Sequence, residues 1–257
     1  MGQLVVLHAL RDGAHFQVAS RLEHSGFDKQ AMAIPLSVPL QNLPEITSNA
    51  ESAVALADVV VDFSAPAAVL ELAPLCREAL VPYLVASTGL TTAQQDVLKE
   101  ASKTIPILHA SNLSVGVTVM QALVEFAAKS LGEAFDVEVV ELHHRRKRDA
   151  PSGTALTLAE AVRRGQREAL RPVFDRCLTK GPRANDELGM AAVRGGDIVG
   201  EHTVYFLGEG ERLEITHRAT SPDVFALGAL RAASFLASSV APGLYNLSDV
   251  VMLDEFA

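Results

Sequence analysis

Apolar residues in the first part of the chain fall into short dense runs separated by stretches of helical period. Phe16–Leu22 (FQVASRL), Val59–Phe63 (VVVDF), Tyr83–Val85 and Ile107–Ala110 read as strands. Ala67–Ala79 and Thr91–Lys103 read as helices, and Thr91 with Gln94 has capping-box spacing. Leu4–Leu10 (LVVLHAL) is apolar enough for strand or helix. Such alternation predicts a parallel sheet with helices on its faces. Ligands of these sheets gather at the carboxyl ends of the strands.

The pattern changes near Asn112. Ser114 is placed to cap an apolar helix, Val115–Leu131, that Gly132 stops. Val137–Leu142 (VEVVEL) reads as a strand and Thr154–Arg164 as a helix. Gly165–Leu188 is polar and Pro/Gly-punctuated, and is expected to be mostly loop. Met190–Arg194, Glu201–Leu207 and Glu211–Ala219 then read as strands joined at Gly195-Gly196-Asp197 and Gly208-Glu209-Gly210. Short turns of this kind imply an antiparallel or mixed sheet. Ser221-Pro222-Asp223 opens a last helix that runs to about Ser238. The expected plan is α/β: a doubly wound parallel sheet over residues 1–113 and 224–257, and an α+β domain with a mixed sheet over residues 114–223.

Composition narrows the partners. The chain of 257 residues is 49% apolar, enough for a sizeable core, and carries a formal charge of −9. That acidity argues against nucleic acid, so any basic cluster is local and its partner small and anionic. No apolar run approaches the roughly 20 residues of a membrane span. MGQLVVLHALRDG lacks a basic n-region and a cleavage site, so no signal peptide is read and a cytoplasmic setting is expected. Cys76 and Cys177 have no C-x-x-C pattern and are expected as thiols. The eight histidines show no metal-ligand spacing, and no metal is expected.

One stretch stands against the acidic background: ELHHRRKRDAPSGTAL, Glu141–Leu156. By charge alone it would be a solvated face. It follows the carboxyl end of a strand, however, and a proline turn ties it to Ser152-Gly153-Thr154 at a helix start. Helix N–H groups and dipole attract anions there. Histidine is the side chain best poised to deliver a proton near neutral pH. The residues alone therefore imply an anion site with an acid–base histidine, suited to a small carboxylate that must gain a proton. Gly116 and Gly153 are positions where backbone could approach a ligand closely.

Glu141–Thr154 matches every fixed position of E-x-H-H-x-x-K-x-D-A-P-S-G-T, and so resembles the signature of the 4-hydroxy-tetrahydrodipicolinate reductase (dihydrodipicolinate reductase) family. Asp62-Phe63-Ser64-Ala65-Pro66, Ser87-Thr88-Gly89 and Ser111–Val117 resemble that family's D-F-[ST]-x-P turn, G-T-T-G loop and N-x-S-x-G-V segment, with Ala86 in place of the loop's first glycine. Arg194–Thr203 and Gly210–His217 also resemble family segments, so the likeness runs from Phe16 onward. It implies a Rossmann-like first domain, a second domain for substrate and oligomerisation, a homotetramer, and NADPH- or NADH-dependent reduction of a small dicarboxylate in lysine/diaminopimelate biosynthesis. By position, it implies His143 as proton donor, with Lys147 and His144 holding the substrate and stabilising negative charge. Ser152, Gly153 and Thr154 would bind a carboxylate, and Gly2, Phe63, Ser87, Thr88, Gly89, Ser111 and Asn112 would contact the cofactor. Arg145, Arg146 and Arg148 fall at variable positions, as steering or surface charge.

The chain departs from the pattern at its start. The family has a strand and a G-x-x-G-x-M-G loop there, and Met1-Gly2 resemble only the end of that loop. Two strands are therefore expected to lack a ladder neighbour, and the chain as numbered is expected to bind NAD(P)H weakly. Two readings stay open: a start placed at an internal methionine of a longer protein, which is favoured, or a truly shortened chain in which Leu4–Leu10 or another segment patches the sheet. The resemblance makes Leu4–Leu10 a helix. Arg21 could read a 2′-phosphate and Glu23 ribose hydroxyls, so the choice between NADPH and NADH stays open. Asp62 suits a turn cap as well as a cofactor contact, and His202 and His217 are expected to be hydrogen-bonded structural residues. The alternative function is a cofactor-deficient member that binds dicarboxylate or oligomerises without hydride transfer.

Overall fold

The structure is a computed structural model that describes residues 1–27, 43–166, 169–174, 176–178 and 180–251. In chain order its elements are α1 (Gly2–Arg11), β1 (Arg21–Leu22), β2 (Ile46–Thr47), α2 (Ala50–Val54), β3 (Val60–Asp62), α3 (Val69–Ala79), β4 (Tyr83–Val85), α4 (Thr92–Ala101), β5 (Pro106–His109), α5 (Val115–Leu131), β6 (Asp136–His143), α6 (Gly153–Gly165), β7 (Arg171–Val173), β8 (Glu187–Arg194), β9 (Gly200–Gly208), β10 (Glu211–Ala219), α7 (Asp223–Ala237), β11 (Gly243–Tyr245) and α8 (Leu247–Val251). They form two compact units: Met1–Leu113 with α7, β11 and α8, and Ser114–Pro222.

The first unit is built on a parallel sheet of order β11-β5-β4-β3. Alternate residues serve opposite faces, as the period of a strand requires. Tyr83, Val85 and Ile107 pack with Leu72, Ala73, Cys76 and Leu98 of α3 and α4. Leu84 and Leu108 pack with Val5 and Ala9 of α1 and with Ala226 and Ala229 of α7. Both faces are thus covered, which is why these strands read as unbroken apolar runs. Leu4–Leu10 lies within a helix whose buried Val5 and Ala9 share one face. The capping box forms as expected, with Gln94 Oε1 accepting from Thr91 N at 2.8 Å and Thr91 Oγ1 accepting from Gln94 N at 3.4 Å.

Some expectations do not hold. Only Arg21–Leu22 of Phe16–Leu22 is strand, because its ladder partner β2 offers just Ile46–Thr47. Phe16 and Val18 instead pack against the α1–α7 layer. Among the described residues β1–β2 is a ladder separate from the sheet, and β3 pairs on one side only. Helix α2, capped by Asn49 Oδ1 accepting from Ser52 N at 2.9 Å, and the closing β11–α8 segment carry too little apolar periodicity to be read in advance.

The second unit is a mixed sheet of order β10-β9-β6-β8-β7. Strands β6, β8 and β7 are parallel, and β9 runs antiparallel to β6 and β10. Helices α5 and α6 pack on this unit's core, where Val124, Ala128, Leu158 and Val162 meet Val137, Val139, Val204 and Phe206. Ser114 caps α5, and Gly132 ends it at φ +63°. The β9–β10 hairpin turns at Glu209-Gly210, where Gly210 has φ +80°. Gly195-Gly196-Asp197 is no hairpin, because β6 lies between β8 and β9 and the connection passes the carboxyl end of β6. The expected loop Gly165–Leu188 holds β7 and a 3₁₀ turn at Arg176–Leu178, and β8 begins at Glu187. Pro172 suits β7 because this strand is an edge. Residues 167, 168, 175 and 179 of that stretch lie outside the described residues.

Helix α7 approaches the segment that follows β5 at Gly228, where a Cβ would lie 1.7 Å from the carbonyl oxygen of Leu113. Gly228→Ala should therefore destabilise the protein by about 1–3 kcal/mol, read as a lower midpoint in urea unfolding of the full chain.

Candidate active site

The site in the second unit begins with the alternation of β6. Val137, Val139, Glu141 and His143 are the buried residues of that strand, so one face changes from apolar to polar as it reaches its carboxyl end. Glu141 is 1% exposed, and its carboxylate is fully engaged. Oε1 accepts from Arg194 Nη2 at 2.7 Å and from Ser152 N at 3.2 Å. Oε2 accepts from Arg194 Nη1 at 2.9 Å and pairs with His143 Nδ1. Arg194, on β8, also donates to Asp149 O at 2.8 Å. One buried acid thus joins the histidine, the end of the basic loop and the start of α6.

Ser152 is the N-cap of α6, its Oγ accepting from Ala155 N at 3.2 Å. The same hydroxyl meets His202 Nε2 at 3.0 Å. The rings of His143 and His202 meet edge to face, with centroids 5.2 Å apart. Gly153 is exposed and a Cβ there would meet nothing within 4 Å, so the helix start is open. Lys147 Nζ pairs with Asp149 Oδ2 at 2.9 Å. His144 is half-buried, and its Nδ1 is buried with no partner among the described residues. Arg194 Nε and His202 Nδ1 nearby are likewise buried with no partner among the described residues. Arg145, Arg146 and Arg148 are exposed.

Electrostatics follow from this packing. Burial pulls His143 below its ordinary range, its bond to Glu141 pulls the other way, and Lys147 and Arg194 add repulsion. Burial alone would push Glu141 up, but bonds from Arg194 and His143 outweigh it and hold the carboxyl below its usual range. Burial, with repulsion from His143, pushes His202 down to about 4. The bond from Lys147 lowers Asp149. Glu141, Arg194 and His202 were not among the residues assigned to the site from sequence. The usable signal was the i, i+2 spacing of Glu141 and His143 on one strand, which puts both on one face. Gly116 is also reassigned: a Cβ there would lie 2.8 Å from the His217 ring, so a histidine, itself 3.3 Å from Ser114 Oγ, requires that glycine.

In the first unit, register aligns the exits of three parallel strands, Asp62 with Val85 and Val85 with His109. Phe63, Ser87, Thr88, Gly89, Ser111 and Asn112 follow those ends and share one sheet edge. Ser87 Oγ is buried there without a partner among the described residues, and Gly89 sits at φ +75° with open space beside it. An unpaired hydroxyl next to an open glycine turn fits a polar cofactor. Asp62 caps the turn, Oδ1 accepting from Ser64 N at 2.7 Å, and anchors Tyr83 OH at 2.7 Å through Oδ2. Gly2 begins α1 with nothing within 4 Å of a Cβ. Arg21 lies on the separate β1–β2 ladder, where its Nε donates to Pro44 O at 2.7 Å, and Glu23 follows β1, its N donating to Thr47 O at 3.0 Å. No group of three or more His, Cys, Asp or Glu among the described residues is arranged to hold a metal. Among the same residues no helix is long and apolar enough to cross a membrane.

Fold and site together define a two-unit α/β protein, one unit Rossmann-like and the other a mixed sheet bearing a buried cluster of Glu141, His143, Arg194 and His202. The models of the dihydrodipicolinate reductase N-terminus and C-terminus match residues 1–113 and 116–251. The chain belongs to the dihydrodipicolinate reductase family. An Anaeromyxobacter protein named 4-hydroxy-tetrahydrodipicolinate reductase is 46% identical over 258 residues, covering 98% of this chain and 93% of its own length. A Ralstonia nicotianae protein of the same name is 42% identical over 255 residues, covering 98% and 96%. A solved structure of dipicolinate-bound dihydrodipicolinate reductase from Paenisporosarcina has the same fold, with a TM-score of 0.75 at 23% identity over 95% of this chain and 92% of that one.

The buried histidines carry a pH-dependent stability. A histidine held below 6.5 in the fold binds its proton first in the unfolded chain. Stability is then full above 6.5 and lost as pH falls toward the folded value. For His202 the loss between about pH 7 and pH 5 should be about 2 kcal/mol, read by urea unfolding at both pH values. His202→Gln should flatten the dependence.

Proposed function

We infer that the protein is an NAD(P)H-dependent reductase that converts 4-hydroxy-tetrahydrodipicolinate to tetrahydrodipicolinate in lysine biosynthesis, the activity for which its relatives are named. The observation that best supports assigning the chemistry to the second unit is the contact of His143 and Ser152 with one buried carboxylate. That arrangement sets an acid–base imidazole beside the Ser152-capped N-terminus of α6.

In this reading the start of α6, the exposed Gly153 and the half-buried Thr154, takes one substrate carboxylate on helix N–H groups. Ser152 orders that turn through its cap. His144 offers its unsatisfied nitrogen, and Lys147 turns from Asp149 toward the negative charge that develops on the substrate. His143 supplies the proton. The bound dianion favours the imidazolium and offsets the burial that disfavours it, so the acid is charged when substrate is present. A reduced nicotinamide, when bound, supplies a hydride. Phe63, Ser87, Thr88, Gly89, Ser111 and Asn112 would hold it, with Gly2 toward its phosphates and Arg21 and Glu23 toward its ribose. The exposed Arg145, Arg146 and Arg148 steer a dianion to an acidic protein. A cytoplasmic setting goes with this reading, and Cys76 is the buried thiol such a compartment permits.

His143→Gln should lower kcat about 100-fold or more while changing substrate KM little, measured by nicotinamide absorbance in the full chain. Lys147→Ala should worsen both constants. Unchanged turnover in His143→Gln would remove it as the acid. We also propose a homotetramer assembled through the mixed-sheet unit. Sedimentation should give four times the mass of the chain, and a monomer would overturn the assembly.

A further inference from the structure

We propose that Glu141, clamped by Arg194, is a positioning residue that fixes the hydrogen of His143 on Nδ1 and leaves Nε2 as the nitrogen that delivers the proton. The inference rests on the reading of His143 as the proton donor and adds which atom acts and what selects it.

An ionised carboxylate only accepts hydrogen bonds. Both oxygens of Glu141 already accept, from Arg194 Nη1 and Nη2 at 2.9 and 2.7 Å and from Ser152 N at 3.2 Å. Its remaining contact is His143 Nδ1, which must therefore donate. The ring's other nitrogen faces the backbone of Gly200, where a Cβ would lie 3.0 Å from Nε2. Glycine at the start of β9 thus keeps room beside the atom that is left for chemistry. Arg194 gives the arrangement rigidity, since its guanidinium ties the carboxylate to Asp149 O at 2.8 Å. Ser152 N makes the same carboxylate the reference for the start of α6, so the proton donor and the anion-binding turn are located from one point.

The groups facing the His143 ring are Glu141 on its own strand, Arg194 on β8, His202 on β9 and Lys147 from the loop. Glu141 is the one anion among these, so it alone favours the imidazolium. In Glu141→Gln an amide can present its NH₂ to Nδ1 and turn the ring to the opposite tautomer. A neutral imidazole N–H is a far weaker acid than an imidazolium, so turnover should fall.

The test is nitrogen NMR of the full chain labelled at histidine, with His143 assigned by its loss in His143→Gln. In the unaltered protein at slightly alkaline pH, Nδ1 should carry the hydrogen and Nε2 should be bare. Pyridine-2,6-dicarboxylate, used as the diacid probe, should protonate Nε2. In Glu141→Gln the hydrogen should move to Nε2, kcat should fall about 100-fold with KM within about threefold, and the alkaline limb of kcat/KM should move to lower pH. An Nε2–H tautomer in the unaltered protein would overturn the proposal even if Glu141→Gln does not fold. So would a Glu141→Gln protein with unchanged tautomer and pH profile. An unaltered protein with the Nδ1–H tautomer but no activity with NADPH or NADH would sink the reductase reading and still support the role of Glu141.

Discussion

The buried carboxylate of Glu141 organises the site of the second unit. Glu141 is taken out of water at the end of β6, which is tolerable only because each oxygen is matched by a donor. Removing one partner of such a pair leaves an uncompensated buried charge and costs about 3–5 kcal/mol. The carboxylate therefore holds Arg194, His143 and Ser152 N to a common geometry. The sheet topology follows the same need. Strand β6 lies between β8 and β9, so Arg194 from one neighbour and His202 from the other arrive beside its carboxyl end.

The first unit meets a different constraint. Its strands are short, three or four residues each in the main sheet, and stability comes from covering both faces. Tyr83 and Val85 point to the α3–α4 layer, and Leu84 between them points to the α1–α7 layer. Helix α7 reaches its close approach only because Gly228 has no side chain to meet Leu113. The chain thus returns after the second unit to complete the layer that its own first helix began, and β11 adds a parallel strand beside β5. The polar residues of this unit gather where strands end in register, since backbone there leaves the ladder and side chains are released from packing.

Much of this was legible in one dimension. Helix α5 was readable to its last residue because Ser114 and Gly132 are strong start and stop signals around an apolar stripe. Strand β10 was equally plain, bounded by a glycine turn and the Ser221-Pro222 break. Phe16–Ser20 misled because apolar alternation reports packing, and a strand also needs a neighbour's backbone. Strand β7 was hidden because Arg171, Pro172 and Val173 form an edge that lacks an apolar stripe. The turn at Gly195-Gly196-Asp197 misled because a short connection does not say which strand lies between its ends.

For the site, local order determined the parts: a strand read to Leu142, just short of the His143 where β6 ends, a cationic loop, and a helix opened by Ser152-Gly153-Thr154. These follow from neighbours along the chain, where capping, alternation and proline act over a few residues. The tertiary structure alone decided how they act together. Arg194 lies 53 residues beyond Glu141, and His202 lies 50 beyond Ser152. Whether distant residues meet depends on strand order and register, which are settled by the collective burial of the whole sheet and are not written in any short window.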